Sequence, residues 1–207
     1  MANSIAQTDV ELLRLTTAGD DQAFTALYRR HQGQVYRFAL LMSGSVGVAE
    51  DVTQEVFMVL IREAHRYDPE RGQLSAFLYG VARNHVLRRI ERDRSYVPFI
   101  EESGEGEAIP LPQLIDRDDP LGNFTRKELI RLVRQAVVAL PARYREAVVL
   151  CDFQELSYAE AARVLDCPVG TVSSRLHRGH SMLLERLRIM KDSDSTVNEP
   201  SSLRCFA

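Results

Sequence analysis

Apolar residues recur at every third or fourth position along most of the chain, which is the spacing of one face of an α-helix. The recurrence fills two stretches, residues 9–95 and 123–190, and lapses between and after them. No stretch alternates apolar and polar residues as a half-buried strand does. The pattern therefore predicts an all-α fold, in which two small helical domains are joined by a flexible acidic linker.

Capping and breaking residues divide the first stretch into helices. Thr8 and Glu11 have the spacing of a capping box, and glycines at 44 and 47 interrupt the pattern between two helices. In chain order, the first expected helix begins at Thr8 and the second at Asp20. The third contains Val35–Met42, the fourth covers about 48–67 and the fifth covers about 74–94. We assign residues 1–95 to this first domain.

The second stretch ends in two short helices. Thr125 with Glu128 opens its first helix, and Pro141 begins another that runs to about residue 153. Ser157 and Glu160 form a further capping box, a turn follows at 166–170, and the last helix is expected over about 171–187. Two short helices joined by a tight, glycine-containing turn describe a helix-turn-helix. We assign residues 123–190 to this second domain.

The segments outside the helical stretches have their own composition. Residues 96–122 are rich in proline and glycine, which predicts a linker. Acidic side chains dominate residues 101–119 of this linker, where Arg117 is the only basic residue. The acidic residues are Glu101, Glu102, Glu105, Glu107, Asp116, Asp118 and Asp119. Residues 191–207 are rich in Ser, Asp, Asn and Pro, and we expect a disordered tail.

Composition excludes several classes of protein. The chain has 207 residues, a formal net charge of −3 and three cysteines without a C-x-x-C pair, so a disulfide scaffold or zinc ribbon is not expected. No apolar run approaches the roughly 20 residues that span a bilayer, and the N-terminus shows no export leader. We expect a protein of the cytoplasm that does not insert into membranes.

The near-neutral total hides a segregation of charge that points to nucleic acid. Residues 82–94 and 171–188 are basic, and the acidic linker lies between them. At the start of the last helix, hydroxyl and guanidinium groups face outward beside an apolar inner face, and such groups suit phosphates and base edges. The outward residues are Thr171, Ser173, Ser174, Arg175 and Arg178. We expect this helix to read DNA.

Catalytic chemistry finds no support in the sequence. H-E-x-x-H, a Walker phosphate loop and G-x-G-x-x-G are all absent, and no Glu is followed three positions later by His. His177 and His180 lack a third ligand at helical spacing. We expect neither enzyme activity nor a cofactor nor a metal site. The alternative to consider is a dimeric helix-turn-helix regulator, which would leave the first domain without a role.

Two sets of motifs resemble one family. Residues 140–150 and 156–179 resemble the fourth region of extracytoplasmic-function (ECF) sigma factors of RNA polymerase, and residues 51–57 and 75–84 resemble their second region. The resemblance implies a factor that binds core RNA polymerase, reads the −10 and −35 promoter elements and opens DNA without ATP. It also implies control by an anti-sigma factor.

The resemblance also implies roles for individual residues. Core polymerase would bind the outward stripe of the helix from residue 48: Asp51, Gln54, Glu55, Met58 and Arg62. The −10 element would be held by the loop at 67–73 and the helix after it: Arg71, Gln73, Phe77, Arg83, Asn84, Arg88, Arg89 and Arg92. An unstacked base would sit in the loop's pocket, where an Asn amide can both donate and accept. The −35 element would meet the outward residues of the last helix.

Overall fold

The structure, a computed structural model, describes residues 7–96 and 120–197 of the chain. Helices account for nearly all of these residues, which contain no strand. In chain order the helices are α1 Asp9–Thr17, α2 Asp21–Ser43, α3 Val46–Arg62, α4 Leu74–Tyr96, α5 Pro120–Val138, α6 Ala142–Val148, α7 Tyr158–Leu165 and α8 Val169–Val197. The all-α prediction is confirmed. Helices α1–α4 form the first unit and α5–α8 the second.

Local capping sets the starts of the first helices. Thr8 and Glu11 form the predicted capping box, in which the Glu11 amide donates to Thr8 Oγ1 at 3.3 Å and the Thr8 amide donates to Glu11 Oε2 at 3.1 Å. Asp20 Oδ1 accepts from the amides of Gln22 and Ala23 at 2.8 and 3.1 Å. These acceptors satisfy amides that have no partner inside the helix.

One element differs in number from the sequence prediction. Residues 21–43 form a single helix of 23 residues, where the pattern predicted two. Gly33 is the weakest helix former between the predicted pair, and one glycine costs only about 1 kcal/mol in a helix. His31, in the same stretch, is buried, and its Nε2 lies 2.8 Å from Asp9 Oδ2, so packing against α1 holds the helix continuous.

Three helix ends also differ from prediction. Helix α3 ends at Arg62 rather than near residue 67: a short 3-10 turn at Ala64–Arg66 follows, and then Tyr67 has an extended backbone and packs its ring on Phe77. Helix α5 already begins at Pro120, where proline is well tolerated in a first turn. Helix α8 continues to Val197, since no proline interrupts it before residue 200, and so residues 191–197 are helical rather than part of a disordered tail. The remainder of the predicted linker, 97–119, and of the tail, 198–207, lies outside the described residues.

Each unit has a buried apolar centre. In the first unit Leu27, Phe38 and Val56 are fully enclosed, and in the second unit Leu150 and Val172 are. The two centres continue into one another through residues at the junction of the units. None of the described helices combines the length and apolarity that crossing a membrane would require.

The two units pack directly against each other, although the sequence predicted units that act as separate bodies on a tether. Gly44, in a left-handed conformation at the end of α2, lies so close to Val138 of α5 that a Cβ on the glycine would stand 2.8 Å from Val138 Cγ1. The Arg145 guanidinium of α6 donates to the carbonyl oxygen of Met42. Helix α4 contacts both α6 and α7.

Candidate nucleic-acid and polymerase interfaces

The predicted helix-turn-helix is present as α7, the turn at 166–168 and α8. Ser157 caps α7: the Glu160 amide donates to Ser157 Oγ at 3.3 Å, while Glu160 Oε2 accepts from the Ser157 hydroxyl at 2.6 Å and from the Ser157 amide at 3.0 Å. These hydrogen bonds from the Ser157 side chain and backbone lower the pKa of Glu160. The Glu160 side chain in the predicted capping box is therefore ionised.

The turn holds the two helices at a fixed angle. Asp166 ends α7 in a left-handed conformation with φ of 50°, which aspartate tolerates better than most residues do. Val172 and Leu176 fill the space beneath α7, beside the small side chains of Ala161 and Ala162, and all four are buried. The close packing directs the opposite side of α8 to solvent.

The predicted −35 residues lie on the outward part of α8. Ser173, Ser174 and Arg178 are exposed, while Thr171 and Arg175 are half-buried on the flank. The Ser174 hydroxyl donates to the carbonyl oxygen of Thr171 at 3.0 Å. The first two turns of α8 thus present hydroxyl groups, and guanidinium groups follow them along the same helix.

Close helix packing supports this surface from behind. A Cβ at Gly179 of α8 would lie 2.7 Å from Val148 Cγ2, so only glycine lets α8 cross α6 at this distance. His180 Nε2 lies 2.6 Å from Asp152 Oδ2, which ties α8 to the turn after α6. His180 therefore has a carboxylate partner. No cluster of His, Cys, Asp or Glu side chains in the described part of the chain could hold a metal ion.

A second polar surface follows one face of α4. Gln73, Phe77, Asn84, Arg88 and Arg92 are spaced by four or seven residues and therefore lie in one stripe. All are exposed except Phe77, which is half-buried against Tyr67 with ring centroids 5.8 Å apart. Five of the eight predicted −10 residues thus share one surface, which we call the α4 stripe.

The loop before α4 stands at one end of the α4 stripe. The Tyr67 hydroxyl donates to the carbonyl oxygen of Gly72 at 3.1 Å, and Gly72 has φ of 141°, which few other residues adopt. Burial, and then the nearby carboxylates of Asp9 and Asp68, raise the pKa of Tyr67. The phenol therefore stays protonated and holds the loop closed. Arg71 is exposed on this loop.

A concave surface beside the loop before α4 was not predicted from the sequence. A concavity of about 550 Å³ adjoins the loop, and α1 and α2 supply its far wall with Thr8, Asp9 and Arg30. Asp9 bridges the Arg30 guanidinium and His31. No local pattern connects Asp9 with Arg30, because they are separated by a whole helix and a turn and only the packing of α1 on α2 brings them together.

Two predicted −10 arginines lie off the α4 stripe. Arg83 points to the second unit, where its guanidinium pairs with Glu146 of α6. Arg89 pairs with Asp51 of α3, so it connects the α4 side of the molecule with the predicted polymerase-binding helix. Both arginines would need to exchange these partners before they could hold a phosphate.

The predicted polymerase-binding residues form a continuous exposed stripe on α3. Asp51, Gln54, Glu55, Met58 and Arg62 are all exposed. Met58 is 43% exposed, and Ile61 beside it is 45% exposed. The opposite face of α3 buries Val52, Val56 and Leu60. An exposed methionine and isoleucine among carboxylates form a surface with both apolar and charged contacts to offer a partner.

Comparisons with known proteins identify the family. The family model described as Sigma-70 region 2 matches residues 27–96, and the one described as Sigma-70, region 4 matches residues 130–183. These two ranges contain the α3 and α4 stripes and the helix-turn-helix, respectively. Both units therefore correspond to regions of RNA polymerase sigma factors.

Individual relatives show which family of sigma factors the chain belongs to. The ECF RNA polymerase sigma factor SigW of Bacillus subtilis is 31% identical over 172 residues, which cover 82% of this chain and 91% of SigW. The ECF sigma factor SigM of Mycobacterium tuberculosis strain H37Rv is 32% identical over 183 residues, which cover 87% of this chain and 85% of SigM. The chain belongs to the ECF family of RNA polymerase sigma factors, which are transcription initiation factors and not enzymes.

A solved structure has the same fold. The sigma factor RpoE of Bartonella quintana, determined in complex with the anti-sigma factor NepR, superposes with a TM-score of 0.62 at 24% sequence identity. The match covers 80% of this chain and 97% of that one, so both helical units of the fold are shared.

Proposed function

We propose that this chain directs core RNA polymerase to promoters by reading a −35 element with α8 and a −10 element with the α4 stripe. One observation carries the proposal: the two units that match sigma regions 2 and 4 each present an exposed polar surface with arginines. Because each unit has its own surface, two units on one chain can read two separated elements.

The −35 element would be read in duplex form by the start of α8. Exposed Ser173, Ser174 and Arg178 reach base edges or phosphates in the major groove, while Thr171 and Arg175 on the flank contact the backbone. A guanidinium can contact guanine with two hydrogen bonds, so Arg178 is the residue that we expect to contribute most to sequence preference.

The −10 element would be held as a separated strand. Asn84 offers a donor and an acceptor to a base edge, Phe77 and Tyr67 offer aromatic surface, and Arg88 and Arg92 continue the α4 stripe as phosphate contacts. Unstacking a base costs on the order of a few kcal/mol, which binding in the pocket beside the loop would offset. The opening step would then draw on binding energy and not on ATP.

Core polymerase would bind the exposed stripe on α3. Met58 and Ile61 provide apolar area, and Asp51, Glu55 and Arg62 provide charge around it. An anti-sigma factor would keep the protein inactive until a signal releases it, which follows the complex of the similar Bartonella RpoE with NepR. Since polymerase and chromosome share the compartment, we place this action in the cytoplasm.

The test is reconstitution with purified core polymerase. The full chain and core enzyme are incubated with genomic fragments, transcripts are sequenced for their start sites, and the complex is isolated by gel filtration. We expect a stable complex and starts that share upstream elements. Met58→Ala should weaken the complex, whereas Gln32→Ala, an exposed change on α2, serves as the matched control. Absence of a complex with core polymerase would reject the proposal.

The same experiment separates the alternative considered from the sequence. A dimeric helix-turn-helix regulator would bind palindromic duplexes tightly without polymerase. The sigma factor proposed here should bind promoter DNA well only together with core polymerase.

A further inference from the structure

An ion pair joins the two helical units through a side chain expected to hold DNA. Arg83 Nε lies 3.0 Å from Glu146 Oε1, and Arg83 Nη2 lies 3.3 Å from Glu146 Oε2. The side chains are only 21% and 5% exposed. This two-point arrangement is the one that a guanidinium makes with a carboxylate or a phosphate. Glu146 thus occupies the donors that Arg83 would offer to a phosphate.

Two more contacts extend the same junction. The Tyr79 hydroxyl of α4 donates to Gln154 Oε1 of the second unit at 2.8 Å. Arg163 of α7 donates to the carbonyl oxygen of Arg71 and lies against Gly72, so that the helix-turn-helix rests on the loop before α4. Burial raises the pKa of Tyr79 to about 12, and its phenol is therefore a proton donor throughout the physiological range.

We propose that these contacts close the free protein into a self-inhibited state, with Glu146 acting as an internal substitute for DNA phosphate. The closed state binds Arg83 to Glu146 and covers the carbonyl side of the loop with Arg163. The inhibition of promoter binding by the closed state rests on the function proposed above, whereas the closure itself is a property of the isolated chain.

The chemistry of the junction favours a reversible contact. A buried ion pair has a small net stabilising effect, because the cost of dehydrating both charges opposes their attraction. When the units separate, both charges return to water together and neither is left buried. Removing one partner by mutation is different, because the other then stays dehydrated in the closed state, which becomes costly. Interfaces between domains of one chain are often separable when they are not large and apolar, and here the apolar contact beneath the ion pair must also open when the units separate.

The test measures the distance between the units in the full chain, without polymerase or DNA. Dyes are attached to p-acetylphenylalanine introduced at Gln32 of α2 and Ser181 of α8, both exposed, which leaves the native cysteines unlabelled. Single-molecule energy transfer should show one compact population for the wild-type protein. Glu146→Gln and Arg83→Gln should each raise the ratio of extended to compact molecules by about 10-fold or more.

Further variants make the result specific. The charge reversal Arg83→Glu with Glu146→Arg should restore the compact population. Arg163→Ala and Gln154→Ala, which change side chains at the rim of the junction, should also shift it, while Arg188→Ala, an exposed change further along α8, should not. An extended wild-type protein, or compact populations that no junction variant alters, would overturn the proposal.

Binding to a 20-nucleotide oligothymidylate then tests whether Glu146 takes the place of a DNA phosphate on Arg83. Glu146→Gln should bind this strand about 10-fold more tightly than the wild-type protein, because it frees the Arg83 guanidinium. Arg83→Gln opens the chain but removes that cation, so it should gain much less. Equal gains by both variants would contradict the role of Glu146 as a phosphate substitute, and sigma activity does not enter either measurement.

Discussion

At the residue scale, the clearest case of sequence determining structure is the Ser157–Glu160 pair. Each side chain accepts a hydrogen bond from the other residue's backbone amide, and the Ser157 hydroxyl and amide lower the pKa of Glu160. A carboxyl group whose pKa is lowered by folding stabilises the fold above its unfolded pKa, and this contribution is lost as the pH falls through the folded pKa. Residue type and spacing alone were enough to predict the pair.

We predict that Ser157→Ala lowers the free energy of unfolding of the helix-turn-helix unit by about 1 kcal/mol. It should also move the Glu160 carboxyl titration, followed by NMR, upward toward its ordinary pKa. Thr8→Ala, which removes the equivalent cap of α1, is the matched control and should leave Glu160 unaffected. An unchanged Glu160 titration in Ser157→Ala would show that the pair does not exist in solution.

The two arginines of α8 should differ in what they recognise. Arg178 is exposed on the outward face, whereas Arg175 is half-buried on its flank. We expect Arg178→Ala to cost roughly 1–3 kcal/mol of discrimination between promoter variants, and Arg175→Ala to weaken binding uniformly. Affinities of the polymerase complex for a set of single-base variants of the −35 element measure both, with Arg188→Ala as control. A uniform loss from Arg178→Ala would reject its role in base reading.

At the element scale, the structure departs from the sequence prediction where contacts distant in sequence determine the outcome. The prediction of two helices at 21–43 failed because His31, a polar residue in the apparent gap, is buried against Asp9 of α1. Helix α3 ends at Arg62, and Tyr67, expected in the same helix, instead has an extended backbone with its ring tilted against Phe77. Neither contact has a signature in local spacing.

The end of α2 offers a test of how closely the units pack. Gly44 and Gly19 both have positive φ, but only Gly44 has a neighbour, Val138, within reach of an added Cβ. Gly19→Ala should cost about 1–2 kcal/mol of unfolding free energy from backbone strain alone. Gly44→Ala should cost roughly 1–3 kcal/mol more from overpacking. Urea unfolding measures both changes.

A second substitution distinguishes overpacking from backbone strain at Gly44. Val138→Ala removes the methyl groups that a Cβ at position 44 would meet. The double variant Gly44→Ala with Val138→Ala should therefore recover the additional loss relative to the Val138→Ala background. If Gly44→Ala and Gly19→Ala were equally destabilising, the two units would not touch at this point.

At the scale of the whole molecule, the sequence was sufficient for the fold class, the helix-turn-helix and the family, because capping boxes, helical spacing and contiguous motifs are local features. The α4 stripe was predictable in part, since spacing places Asn84 and Arg88 on one face but cannot tell that Arg83 turns toward Glu146. The same limit hid the concavity beside the loop, where Asp9 and Arg30 meet across two helices. The assigned roles of these residues in binding remain predictions.

Closure of the two units changes what is expected of the isolated protein. With Arg83 held by Glu146 and the loop in contact with Arg163, the free chain should bind DNA more weakly than an opened chain, although the α4 stripe and the outward face of α8 stay exposed. Core polymerase would supply the contacts that separate the units, and the exposed stripe on α3 remains accessible in the closed state. The order of events would then be binding to polymerase first and promoter recognition afterwards.

This protein, together with core polymerase, should open promoter DNA through binding energy. Permanganate oxidation of unpaired thymines tests it directly, on a promoter fragment found by start-site sequencing and with no nucleoside triphosphate present. We predict reactive thymines around the −10 element with the wild-type protein, and their loss in Asn84→Ala at concentrations where the complex still binds the fragment. Thymines that stay unreactive in the bound wild-type complex, or that react only after ATP is added, would rule out opening by binding energy alone.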